Sequence, residues 1–210
     1  LEASSRMFAQ KMTIYNPKTN EVIDEFGQSN GLVRIEPAKK MPVFCLFAVY
    51  MDDCIENQDG EIIISLSDEK IKIIQEHFPN ADAVVIIPDP EDFINDVKKS
   101  IGTEIKAESV QYFNIDKGLE TDNGQTAMDM DYMRYLTQDV PPIKENGETR
   151  YTFRADYAYR VLFCKDIFFA GEQEYRIVLP NEVIESSKSY PISLSRKYEI
   201  CSLKDFFKTI

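Results

Sequence analysis

Glu172, Glu174 and Arg176 are the residues of this chain best placed to do chemistry. They stand in Phe168-Phe169-Ala170-Gly171-Glu172-Gln173-Glu174-Tyr175-Arg176-Ile177-Val178-Leu179. Residues two apart on a strand share a face. One strand over 168–179 therefore sets two carboxylates side by side with a guanidinium next in the row. Tyr175, Ile177 and Leu179 then point to a core. Such a row can hold a ribose by its hydroxyls, with Glu174 stabilising a developing oxocarbenium ion. The same spacing also suits a solvated strand face whose charges pair for about 0–1 kcal/mol. In either case Glu174 reads as exposed, and Glu174→Ala is expected to cost within about 1 kcal/mol.

A second constellation is Asp89 after Pro88, followed by Glu104 and Lys106 in Glu104-Ile105-Lys106. It spells the pattern of Mg²⁺-dependent nucleases, in which two acids hold the ion and a lysine steadies the attacking water. Here a complete helical pattern separates the acids, and Asp89 already suits that helix as its N-cap. Ser67-Asp68-Glu69-Lys70 matches the S-x-x-K of serine acyl-enzymes, but without the companion motifs it reads as a helix start. Asp52-Asp53 and Asp129-Met130-Asp131 lack the spacing of a calcium loop and read as solvated acids. The only histidine is His77, so the four cysteines (Cys45, Cys54, Cys164, Cys201) cannot build a zinc site, and any catalytic thiol–imidazole pair must use His77. Cys45 and Cys164 lie in apolar runs and read as buried thiols of a reducing, cytoplasmic compartment.

The elements that position these residues follow from local signals. Ser67, Asp68 and Glu69 start a helix over 67–77 that Pro79 stops, and Asp89-Pro90-Glu91-Asp92 starts another over 89–101 that Gly102 ends. Residues 83–87 (AVVII) read as a short buried strand, and 41–50 (MPVFCLFAVY) as a central strand buried on both faces. Residues 7–15 and 21–26 read as strands around a turn with Asn16, Pro17 and Asn20, and 31–35 as a third. A strand is expected over 104–115, a helix over 157–165, strands over 174–179, 189–194 and 198–201, and a helix capped by Ser202. Residues 117–150, holding Gly118, Gly124, Pro141, Pro142 and Gly147, read as a long loop or insert with a helical piece near 128–136.

The chain has 210 residues and a net charge of -12, from 24 Lys+Arg against 36 Asp+Glu. That balance, with a pI near 4.6, argues against duplex nucleic acid as a ligand and leaves a basic protein partner open. No apolar stretch reaches the roughly 20 residues that span a bilayer. The start, Leu-Glu-Ala-Ser-Ser, carries no initiator Met and reads as that of a fragment.

The succession Pro42-Val43-Phe44-Cys45-Leu46-Phe47, Ala83-Val84-Val85-Ile86-Ile87, Val110-Gln111-Tyr112, Phe163-Cys164-Lys165 and Glu172-Gln173-Glu174-Tyr175-Arg176 resembles a family of uncharacterised, often prophage-borne bacterial proteins that end in E-x-E-[aromatic]-R. The E-x-E is also similar to the last motif of ADP-ribosyltransferases. That resemblance implies NAD as cofactor, Glu174 as catalytic carboxylate and Glu172 as its helper. The expectation is a single α+β domain with a mixed, mostly antiparallel sheet and two or three packed helices. Its expected role is to bind a protein partner in a mobile-element or phage–host conflict system, through an acidic surface or the 117–150 insert. The alternatives are an NAD-dependent transferase using Glu174 and a Mg²⁺-dependent nuclease using Asp89, Glu104 and Lys106.

Overall fold

The caps at 67–69 and 89–92 nucleate helices where expected in a computed structural model of the chain, which describes residues 3–9, 11–16, 18–19, 21–122, 124–145, 148–150 and 154–209. In chain order the elements are β1 (Ser4–Ala9), β2 (Met12–Tyr15), β3 (Val22–Phe26), β4 (Ser29–Arg34), α1 (Glu36–Lys39) and β5 (Val43–Phe47). A 3-10 turn at Met51–Asp53 leads to β6 (Cys54–Glu56), β7 (Ile62–Ile64), α2 (Asp68–His77), β8 (Ala83–Ile86), α3 (Pro90–Ile101), β9 (Lys106–Ser109) and β10 (Gln111–Phe113). Next come β11 (Leu119–Glu120), β12 (Thr126–Ala127), α4 (Met130–Thr137), β13 (Ile143–Glu145) and β14 (Glu148–Arg150). A 3-10 helix (Ala155–Phe163), β15 (Cys164–Asp166), a 3-10 segment (Ile167–Glu172), β16 (Glu174–Val178), β17 (Glu199–Ser202) and α5 (Leu203–Thr209) follow.

The fold is α+β. Its strands form several small sheets, and among the described residues only β10–β15 pairs in parallel. By its contacts the chain divides into two compact units, each made of two separated stretches: Leu1–Pro42 with Val110–Ala170, and Val43–Ser109 with Gly171–Ile210. Among the described residues no helix is long and apolar enough to cross a membrane.

In the first unit, β1 pairs with β4 and β2 with β3 in one register: Ser4↔Arg34, Ala9↔Ser29, Met12↔Phe26 and Ile14↔Asp24 each add to 38. Among the described residues the pairs β1–β4 and β2–β3 thus share one register, as a two-stranded ribbon, until it shifts by one residue after Ile14, where Tyr15 pairs with Val22. At its tip the Asn16 carboxamide accepts the amides of Lys18 and Thr19. Pro17 and Asn20, expected in that turn, lie outside the described residues. Within the ribbon β1 spans about 20 Å and β2 about 13 Å, at ~3.3 Å per residue. Its base is anchored where Ile35 and Ala38 are buried, with α1 against the Ala155–Phe163 helix. That segment was expected as α-helix over 157–165; it winds as 3-10 and buries Ala158 through Phe163. α4 packs against it and buries Tyr132 and Leu136, so the 117–150 stretch supplies core as well as two hairpins. Gly147 lies outside the described residues.

The second unit is built on the antiparallel sheet β5–β16–β9. α3 covers one face, where Ile94 and Val97 meet Ile105, Ile177 and Leu179, with Leu46, Ala107 and Tyr175 packed alongside. Asp89 caps α3 by accepting the amide of Asp92 at 3.1 Å, and Gly102 ends it at φ 70°. The expected strand over 189–194 does not form. Its backbone instead runs along α3, where Ser193 N–H donates to Ser100 Oγ and Ser195 N–H to Asp96. The 41–50 run is likewise not a central strand. Among the described residues β5 has β16 on one side only, so it is an edge strand on which Phe44 and Cys45 are exposed. Cys164, in the first unit, is buried as expected.

Candidate functional site

The E-x-E residues sit where β16 begins, in the second unit. The expected single strand over 168–179 is interrupted: Ile167–Glu172 winds as 3-10, and Gln173 takes a left-handed φ of 44°. Glu172 is therefore off the strand, while Glu174 and Arg176 keep the shared face that alternation dictates. Tyr175, Ile177 and Leu179 point into the α3 core as expected.

Arg176 is not on a solvated face. It is 0% exposed, and its Nε donates to Glu174 Oε2 at 2.5 Å. Across the sheet it stands opposite Cys45 on β5 and Glu108 on β9. A buried guanidinium needs compensating charge, because losing its solvation costs several kcal/mol. Glu174 thus serves as counter-ion to Arg176, which corrects its reading as an exposed carboxylate whose loss costs little stability. Glu172 reaches the end of α2, where its Oε1 lies 3.2 Å from His77 Nδ1.

Both carboxylates line one cleft of about 370 Å³, counting its open mouth, together with Cys45, Phe47, Ile73, Ile74, His77 and Phe78. The structure therefore brings together Glu172, Glu174, the sole histidine and a thiol, on a floor of apolar side chains. A buried polar lock fixes the backbone between the two glutamates. Gln173 Nε2 donates to Ala48 O and Asp53 Oδ2, both at 2.8 Å, and Ala48 N–H returns a bond to Gln173 O at 2.7 Å. Asp53 also pairs with the Lys70 ammonium and accepts the Tyr50 amide. At 2% exposure Asp53 is one of the most buried side chains, not the solvated acid expected from its sequence. Burial pushes its pKa up, but Lys70, the Tyr50 amide and Gln173 outweigh that and hold it below the ordinary carboxylate value. The motif reading of Ser67 to Lys70 as a helix start holds: Ser67 Oγ accepts the Lys70 amide, and Lys70 carries the lock's positive charge.

The residues of the nuclease pattern are not drawn together. Asp89 caps α3 and faces Arg196, whereas Glu104 pairs with Lys106 at 2.9 Å beyond the other end of the helix. Twelve helical residues place those ends about 18 Å apart. Asp129 is also a correction: it is buried, caps α4 through the amides of Asp131 and Tyr132, and accepts the Asn114 amide. Among the described residues no group of three or more His, Cys, Asp or Glu is placed to hold a metal ion.

A second candidate surface lies on the ribbon of the first unit. From residue 21 to residue 34 every position except Ser29 is exposed. That stretch carries Val22, Ile23, Phe26, Leu32 and Val33, with Ile23 at 63% exposure. No family model, no curated protein and no solved structure matches the chain.

Proposed function

We propose that this chain is a binding module that engages a protein partner through the ribbon of residues 4–34. The observation that carries this reading is the exposure of 21–34, broken only at Ser29, with five large apolar side chains. Proteins that work alone rarely leave extensive apolar surface open. A two-stranded ribbon is marginal by itself and gains stability from docking. The ribbon itself carries Arg6, Lys11, Lys18 and Arg34 against Glu21, Asp24 and Glu25, so the net charge of -12 lies on the rest of the chain, and four unbridged cysteines suit a reducing, cytoplasmic setting. The E-x-E-[aromatic]-R resemblance favours a partner from a mobile-element or phage–host conflict system.

The test is a photoreactive amino acid at position 23 of the full chain, irradiated in an extract of the cells that make it. A discrete cross-linked protein is expected, absent when the probe stands at Glu76 on α2 and lost when Leu32 is changed to Asp. Equal labelling from both positions sinks the reading.

One observation favours a second reading. Glu172 and Glu174 line the same cleft, the arrangement an NAD-dependent ADP-ribosyltransferase-like enzyme requires. Because Glu174 is tied to a buried guanidinium, the fold-sparing probe is Glu172→Gln. NAD binding by calorimetry that disappears in this variant supports the enzyme; no heat in the wild type removes it.

A further inference from the structure

We infer that Cys45 is a nucleophilic thiol that takes a short acyl group from an ester or thioester, with His77 as the base and acid of the same cleft. This goes beyond the partner-binding reading and uses neither the ribbon nor NAD. His77 is the only imidazole that a catalytic thiol of this chain can use, and the second unit brings it to the cleft that Cys45 lines.

The thiol is accessible, because β5 has no partner strand on its outer side among the described residues and Cys45 is exposed there. The attacking form is the thiolate, which neighbouring carboxylates oppose and neighbouring cations favour. Two carboxylates line the cleft, and each has its own cation. Glu174 is bonded to Arg176 at 2.5 Å, and Arg176 is the residue directly across the sheet from Cys45. Glu172 Oε1 lies 3.2 Å from His77 Nδ1. A proton held on Nδ1 by that contact leaves the Nε2 lone pair to act as base. Nucleophile, base and orienting carboxylate are thus three residues of one cleft. Glu172 is the positioning residue, and the Gln173 lock fixes the backbone that carries it.

The floor of Phe47, Ile73, Ile74 and Phe78 is apolar, and the volume of about 370 Å³, open mouth included, is small for a ligand site. Both suit an acyl group of a few carbons. The Cys45 proton passes to His77 Nε2, directly or through one water. Sγ bonds the carbonyl carbon, the bond from that carbon to the alkoxide or thiolate breaks, and the leaving group takes the proton from His77. A water that gives its proton to the same nitrogen then attacks the carbonyl carbon. The S–C bond breaks, the acid leaves, and the proton on His77 returns to the thiolate.

The experiment treats the full chain with p-nitrophenyl butyrate at neutral pH, following nitrophenol release and locating the butyryl group by mass spectrometry. It is expected on Cys45 at least tenfold faster than on part-buried Cys54 or Cys201. His77→Gln should slow that step at least tenfold with an unchanged thermal melt, and added imidazole should restore part of the rate. With one histidine in the chain, nitrogen NMR reads a single ring. The wild type should hold its proton on Nδ1, and Glu172→Ala should spread it over both nitrogens. Equal acylation of the three thiols, a rate indifferent to His77→Gln, an unmoved tautomer, or no acylation at all overturns the inference. NAD binding that Glu172→Gln abolishes, with no butyryl group on Cys45, assigns the cleft to a nucleotide and overturns it too.

Discussion

Replacing Glu174 with Gln removes the carboxylate beside a guanidinium that has no exposed surface. The change keeps the shape of the side chain and deletes one charge, so the loss measures compensation of Arg176 and not packing. Breaking a buried ion pair from one side costs about 3–5 kcal/mol. Glu174 is itself partly exposed at 16%, and Glu108 stands across the sheet from Arg176, so the lower end, about 3 kcal/mol, is expected. For a chain of this length that is a fall of roughly 6–12 °C in Tm. The assay is urea and thermal unfolding followed by circular dichroism, with Glu172→Gln as comparator. Glu172, at 10% side-chain exposure, lies against a half-exposed imidazole and not a buried guanidinium, so its loss is expected to cost less than that of Glu174, about 1 kcal/mol. Adding Arg176→Met to Glu174→Gln removes the guanidinium along with its counter-ion and should recover much of the loss, a coupling of at least about 2 kcal/mol. A Glu174→Gln loss below about 1 kcal/mol, or strict additivity in the double mutant, refutes the assignment of Glu174 as counter-ion.

Three further outcomes follow from the same geometry. Because Asp53 has a depressed carboxyl pKa in the folded state, its stabilisation is complete above the unfolded value of about 3.9 and is lost as pH falls through the lower folded value. Stability of the wild type should therefore drop below about pH 4, and Asp53→Asn should flatten that acid limb; identical limbs contradict the lock. Gly118→Ala places a Cβ 2.5 Å from Ala127 O at φ 66°, while Gly124→Ala, at φ 73°, meets nothing within 4 Å. Thermal melts should show the first variant losing well over about 1 kcal/mol and the second less; equal losses count against the β11–β12 contact. Brief iodoacetamide treatment with mass-spectrometric readout should modify exposed Cys45 long before buried Cys164. Comparable rates would contradict the edge position of β5.

What the sequence makes legible is whatever nearby residues decide. Ser67 and Asp89 as caps, Gly102 as terminator, and Ser202, whose Oγ accepts the Asp205 amide at 3.0 Å, each act within three or four positions of themselves or at the end of their own helix. The alternation that put Glu174 and Arg176 on one face and Ile177 on the other is equally local. Which face meets water is not. Arg176 reads as a surface residue by type, and its burial depends on β5 and β9, whose residues lie far away in sequence. The apolar run at 43–47 reads as central, but a strand is central only if two others flank it, and hydrophobicity does not count neighbours. Glu172 left the row because Gln173 bonds Ala48 and Asp53, partners 125 and 120 positions distant, with no spacing pattern to announce them.

The place of β16 between β5 and β9 also sets a clock on synthesis. Both flanking strands leave the ribosome well before the strand that joins them, which lies more than 120 residues after β5. At ~5–20 residues per second the interval is on the order of 10 s. β9 is made about midway through it, and from then on β5 and β9 wait unjoined while α3 has neither Ile177 nor Leu179 to cover. The nascent chain therefore passes through a stage rich in sticky edges, and its yield in cells should depend on chaperone supply and elongation rate more than on final stability.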